Sequence, residues 1–158
     1  EIYKIMKSII IKTSSTLGGL GFLTAAPGTV TSLASTIIAW PIHYYGPPYS
    51  LALSALAIFL VGCWASEHYE RLTGRSDAPE IVIDELTGLW FSLSFVPPDP
   101  LYFGIGLILF RLYDILKPWP INIVDRYVKG CFGVMLDDIL AALYVNLTIA
   151  GFLILQRI

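Results

Sequence analysis

Two stretches decide the class of this chain. They are Val30–Tyr45, VTSLASTIIAWPIHYY, and Tyr49–Ala65, YSLALSALAIFLVGCWA, parted only by Gly46-Pro47-Pro48. Neither carries a charged residue, and none occurs between Lys12 and Glu67. A helix-length run that is apolar on every side belongs in lipid or in a large core. Three more runs follow: Leu86–Val96, closed by Pro97-Pro98-Asp99-Pro100; Leu101–Phe110; and Ile139–Leu155. The pattern predicts an all-α protein, a small integral membrane bundle with about five membrane-embedded helices. Even the longer runs, of about 16 residues, give roughly 24 Å of helix against roughly 30 Å of hydrocarbon, so the crossings must borrow from their polar flanks. That predicts extended helices over Ile81–Val96 and Leu101–Leu116. Buried helices of a soluble bundle are the competing reading.

Composition sets the same limits. The chain has 158 residues, read as a single domain over 1–158; 56% are hydrophobic and only 14% charged. Its mean hydropathy is +0.70. A soluble domain is nearer 25% charged, and one this small cannot bury so much apolar surface in itself. Disorder is excluded, and a net charge of −2 leaves no basic footprint for nucleic acid. Cys63 and Cys131 lack metal-ligand spacing and read as reduced thiols.

The charges carry a topology. If the chain starts in the cytoplasm and crosses at each apolar run, nine of ten Lys and Arg residues fall inside and only Arg157 outside. All twelve acids except Asp99 join them. That bias follows the positive-inside rule. Residues 1–17 differ: Ile2, Ile5, Met6, Ile9 and Thr13 share a helical face, with Lys4, Lys7 and Lys12 largely off it. This suits an amphipathic interfacial helix on an anionic leaflet, or a first packing helix of the bundle. It has neither the continuous apolar region nor the cleavage site of a signal peptide.

Four polar segments lie on the inner side. Ala26-Pro27-Gly28-Thr29-Val30-Thr31-Ser32 opens the first span and offers free N–H groups and hydroxyls to an anion, or an ordinary N-cap. Asp84 and Glu85 stand together at the mouth of an apolar helix. Dipole complementarity accounts for one acid there; two look more like ligands of a hard cation such as Mg²⁺. Arg111 and Asp114 share a face at i, i+3, and Lys117 continues it one turn on, before Pro118-Trp119-Pro120. Asp137 and Asp138 follow the Gly-rich Gly130–Gly133 turn, with Asp125 and Arg126 upstream. Two acidic pairs could hold one or two Mg²⁺ ions, while Arg111, Lys117 and Arg126 bind a phosphate that a metal-bound water attacks. Glu67, Glu70, Arg71 and Arg75 read as a solvated helix face.

Taken together, Pro27-Gly28-Thr29, Asp84-Glu85-x-x-Gly88, Phe110-Arg111-x-Tyr113-Asp114-Ile115-x-Lys117-Pro118-x-Pro120-Ile121, Asp125 and Gly133-Val134-Met135-x-Asp137-Asp138 resemble the phosphatidylglycerophosphatase A family, in order, over roughly Pro27 to Tyr144. The resemblance implies a multi-pass enzyme of the bacterial inner membrane with its site facing the cytoplasm. It would remove the terminal phosphate of phosphatidylglycerol phosphate with Mg²⁺. By position, the family's acids fall on Asp84, Glu85, Asp114, Asp125, Asp137 and Asp138, and its basic residues on Arg111 and Lys117. Thr31, Cys131 and Ala142 stand where the family usually has Gly.

The residues narrow the chemistry by elimination. Cys131 has no Arg six residues on, no Asp-x-Asp-x-Thr/Val string occurs, and His68 has no partner histidine. Direct attack by a metal-activated water remains. The expected catalytic and metal-binding residues are Asp84, Glu85, Asp137 and Asp138; Thr29, Arg111, Asp114, Lys117, Asp125 and Arg126 are expected to bind substrate. The expected partners are a membrane phospholipid and the bilayer. A small transporter or channel subunit using the acids as a cation path is the alternative, but it would place acids on both sides. A phosphatidyl-group transferase would need an Asp-Gly-x-x-Ala-Arg string, which is absent.

Overall fold

A computed structural model of the protein describes residues 2–23, 25–76 and 78–156. Among them run seven helices and no strand: α1 (Ile2–Ser15), α2 (Pro27–Tyr45), α3 (Ser50–Thr73), α4 (Ile83–Leu93), α5 (Pro100–Leu116), α6 (Ile121–Tyr127) and α7 (Cys131–Leu155), with a short 3₁₀ turn at Leu20–Phe22. Arg157, the one basic residue expected outside, and Asp77 lie outside the described residues.

The boundaries follow local rules. Pro27 and Pro100 open α2 and α5, where a missing N–H costs nothing, and the Asp99 carboxylate caps α5 by accepting from Leu101 N at 2.8 Å. Gly74 ends α3 with φ 70°. Among the described residues, only α3 and α7, at 24 and 25 residues, are both long and apolar enough to cross a membrane by length and composition. The expected Ile81–Val96 helix is shorter: Ile81 and Val82 precede α4, which spans 11 residues.

That short helix is the axis of the molecule. α4 packs against α7, α3, α2 and α5. Thr87, Gly88, Leu89, Trp90, Ser92 and Leu93 are all buried, as a helix apolar on every side requires. Its hydroxyls are satisfied locally, Thr87 donating to Ile83 O at 2.7 Å and Ser92 to Gly88 O at 3.0 Å. Trp90 Nε1 donates to Ser35 O of α2 at 3.1 Å, and Asn146 of α7 donates to Phe91 O at 3.4 Å. The outer helices turn Leu33, Ile37, Leu53, Leu60, Ile108 and Leu147 to the outside. The apolar surplus of the composition is therefore on the surface. α1 runs antiparallel along α3, Lys4 and Lys7 lining a hollow with His68 and Arg71, and Ser14 and Leu17 lining another with Ala57 and Val61.

Candidate active site

The site forms where α4 begins and α7 passes it. Asp84 and Glu85 occupy the first turn of α4, at the positive end of its dipole. One turn on, Gly88 lets the two helices touch: a Cβ there would meet Asp138 Cβ and Phe110 Cε2 at 2.8 Å. The close crossing brings ligand oxygens of Asp84, Glu85 and Asp138 within 4.8 Å of one another. Asp84 Oδ1, Glu85 Oε2 and Asp138 Oδ2 are buried and have no hydrogen-bond partner. Three crowded carboxylates with orphaned oxygens repel one another unless a cation joins them. An all-oxygen donor set of this kind fits a hard divalent ion such as Mg²⁺.

Opposite the acids stand two cations. Arg111 Nη1 donates to Asp114 Oδ2 at 2.6 Å and lies 3.9 Å from Glu85 Oε1. Its Nε is buried without a partner. Lys117 does not continue that helix face. It caps α5 in a left-handed conformation, φ 43°, strained for a residue with a Cβ and followed by the helix-stopping Pro118. From there its ammonium donates to Asp137 Oδ2 at 2.7 Å and to Asp125 of α6. Burial works against the Lys117 charge, but these two hydrogen bonds outweigh it and hold the ammonium above the usual lysine range.

The start of α2 closes the site. A Cβ at Gly28 would overlap the Glu85 carboxylate and reach within 3.0 Å of Arg111 Nη1, so any larger residue would displace both side chains. No side chain caps α2, which leaves its first N–H groups free for a ligand. The resulting cavity of about 270 Å³ is lined by Thr29, Asp84, Glu85, Arg111, Asp114, Lys117, Asp137 and Asp138.

Eight of the ten residues expected from sequence thus share one cavity. Asp125 reaches it only through Lys117 and borders a smaller pocket beside Lys129, Gly130 and Asp137. Arg126 lines neither; it is exposed, its guanidinium 5.8 Å from the Tyr127 ring centre. Thr31, buried with an unpartnered hydroxyl, and Cys131 also lie off the cavity wall. Cys63 and Cys131 are free thiols.

Sequence reasoning missed the wall formed by Ala78, Pro79 and Ile81, and the strap behind it. Glu80, 9% exposed, accepts from Tyr69 OH at 3.0 Å and from Arg75 Nη1 at 3.1 Å. Arg75 had read as part of a solvated face, and no periodicity links Tyr69 to Glu80. Arg71 and Glu67 lie on a solvated face, as expected, and pair there.

Comparison with known proteins adds an independent finding. The family model described as Phosphatidylglycerophosphatase A matches residues 13–153. A Bacteroides thetaiotaomicron protein named as a phosphatidylinositol-3-phosphatase is 35% identical over 84% of this chain and 86% of its own length. Phosphatidylglycerophosphatase A of Haemophilus influenzae is 36% identical over 83% of this chain and 81% of its own. Its Escherichia coli namesake is 35% identical over 78% and 72%. No solved structure matches.

Proposed function

This chain belongs to the phosphatidylglycerophosphatase A family, and from that premise we propose that it hydrolyses phosphatidylglycerol phosphate to phosphatidylglycerol and inorganic phosphate. In this reading the reaction is Mg²⁺-dependent and takes place at the cytoplasmic face of the bacterial inner membrane. One observation carries the reading: three carboxylates with orphaned oxygens face Arg111 and Lys117 across a single cavity. An acidic pole and a basic pole side by side are what a phosphate monoester needs, a cation on its oxygens and fixed positive charge to orient it.

Asp84, Glu85 and Asp138 would hold the Mg²⁺. When bound, it would neutralise charge on the phosphate oxygens and lower the proton affinity of an attacking water. The chain's own residues do the rest. Arg111, Lys117 and the free N–H groups at the start of α2 orient the phosphate. Asp114 and Asp125 fix the two cations in place through their hydrogen bonds. Asp137 is engaged by Lys117, so the water's proton would pass to a carboxylate oxygen of Asp84, Glu85 or Asp138 that the metal does not take up. Water oxygen forms the new bond to phosphorus, the glycerol oxygen departs, and that oxygen takes up a proton.

Five membrane crossings, with both polar blocks inside, complete the proposal. The charge bias supports that number of crossings, and the apolar outer surface with the length and composition of α3 and α7 supports a place in the membrane.

The test is phosphate release by purified, reconstituted protein, with phosphatidylglycerol phosphate and phosphatidylinositol 3-phosphate side by side, each with Mg²⁺ or excess EDTA. The expected result is release from phosphatidylglycerol phosphate, abolished by EDTA. Release only from the inositol lipid would overturn the substrate, and undiminished release in EDTA would overturn the metal.

A further inference from the structure

The seam between α5 and α7 has three tiers in a row. At the top, Lys117 and Asp137 join the helices at 2.7 Å, on the wall of the phosphate cavity. Below them Tyr113 OH and Thr148 Oγ1 are hydrogen-bonded at 2.8 Å, and the Tyr113 and Tyr144 rings lie 5.3 Å apart. Tyr144 OH in turn donates to the Trp119 carbonyl at 2.6 Å. Lower still is an apolar hollow of about 270 Å³ between Tyr102, Ile105, Leu109, Thr148, Ile149 and Phe152.

The tiers are continuous because the spacing is helical. Tyr113, Leu109 and Ile105 recur every four residues along α5, below the Lys117 that caps it; Asp137, Tyr144, Thr148 and Phe152 recur at seven, four and four along α7. Leu109 and Ile105 lie eight and twelve residues from Lys117, about 12 and 18 Å down the helix. One leaflet's hydrocarbon is about 15 Å deep, half of roughly 30 Å. The order is thus charge, hydroxyl, hydrocarbon, at the depths where a membrane phospholipid has phosphate, glycerol esters and acyl chain.

We propose that this seam is the acyl-chain subsite of the substrate. One acyl chain lies in the Ile105–Phe152 hollow, the ester region lies against Tyr113, Tyr144 and Thr148, and the phosphate reaches Lys117. The enzyme then reads its substrate as a whole lipid and takes it in sideways from the leaflet. This rests on the phosphatase reading above for the identity of the headgroup, but the hollow's occupant is testable on its own.

The experiment uses full-length protein in lipid nanodiscs with phosphatidylglycerol phosphate carrying a diazirine midway along one acyl chain. After illumination, label is expected on residues 105–109 and 149–152, and unlabelled long-chain lipid suppresses it. Ile105→Trp fills the hollow and is expected to cut labelling and raise KM for long-chain substrate about tenfold, the loss of roughly two buried methylenes. On the six-carbon analogue its KM stays near wild type. Ile108→Trp, on the exposed outer face of the same helix, changes none of these. If Ile105→Trp does not fold, Phe152→Ala at its half-exposed position carries the same readout, with KM raised for long chains only. Label on the separate hollow of Ala57, Val61 and Leu86, label spread evenly over the outer faces, or equal KM for the two Trp variants overturns the proposal. Seam labelling without phosphate release would overturn the phosphatase reading and leave the subsite standing.

Discussion

Asp84, Glu85 and Asp138 repel one another in the folded protein, and neutralising any one relieves that repulsion while removing a cation ligand. Asp84→Asn and Asp138→Asn are each expected to lower phosphate release by at least about 10³-fold. Without metal, each variant is expected to melt at or above the wild-type temperature. Mg²⁺ at about 100 times its Kd is expected to stabilise the wild type by about 2.7 kcal/mol and the variants by far less. Thermal unfolding in detergent, with and without Mg²⁺, reads both effects; wild-type turnover in either variant would refute the assignment. At Gly28 the added methyl of Ala would push Glu85 and Arg111 apart. Gly28→Ala is expected to cost about 10²-fold in kcat/KM, in line with a misplacement of about 1 Å, with the melting temperature little changed. The acids were legible at this scale because adjacent carboxylates at an apolar helix mouth are costly without a purpose. The close approach at Gly28 and the left-handed turn of Lys117 toward Asp137 were not legible, since both depend on what another helix brings within reach.

At the scale of elements, the segment between α3 and α4 decides whether Asp84 and Glu85 enter the cavity at the right height. It is tied twice close to α4: Val82 N donates to Ser15 O at 3.0 Å, and Glu80 is held by Tyr69 and Arg75. Tyr69→Phe removes one hydrogen bond to a buried carboxylate and is expected to cost about 1.5–3 kcal/mol of stability. Thermal unfolding checks this, and an unchanged melting temperature would show that the strap carries no load. Helix ends at Pro27, Gly74 and Pro100 follow from proline and glycine chemistry. The shortness of α4 was not legible in the sequence. Its apolar run continues to Val96, which stays buried in the core although the helix has ended at Leu93, short of Pro97-Pro98.

For the whole molecule, the open quantity is how many helices cross the bilayer. Two crossings, by α3 and α7 alone, would leave the α3–α4 and α4–α5 loops on one side; five crossings put them on opposite sides. With Cys63 and Cys131 replaced by Ser, an impermeant thiol reagent is expected to label Pro98→Cys in intact cells. Ser76→Cys is expected to react only after permeabilisation. Labelling of both from the same side would refute the five-crossing arrangement.

The amino-acid sequence by itself determined the helical class, the apolar exterior and the residue types of the site. These are local properties: periodicity, end signals and the cost of placing charge beside hydrocarbon. Tertiary structure alone decided that α4 is the central axis and that Asp84, Glu85 and Asp138 converge while Arg126 stays outside. It also decided that Lys117 turns from its own helix face toward Asp137, and that Glu80 is a buried anchor. Those outcomes depend on how closely helices distant in the chain approach one another, and a glycine such as Gly88 sets that distance only once a partner helix packs against it.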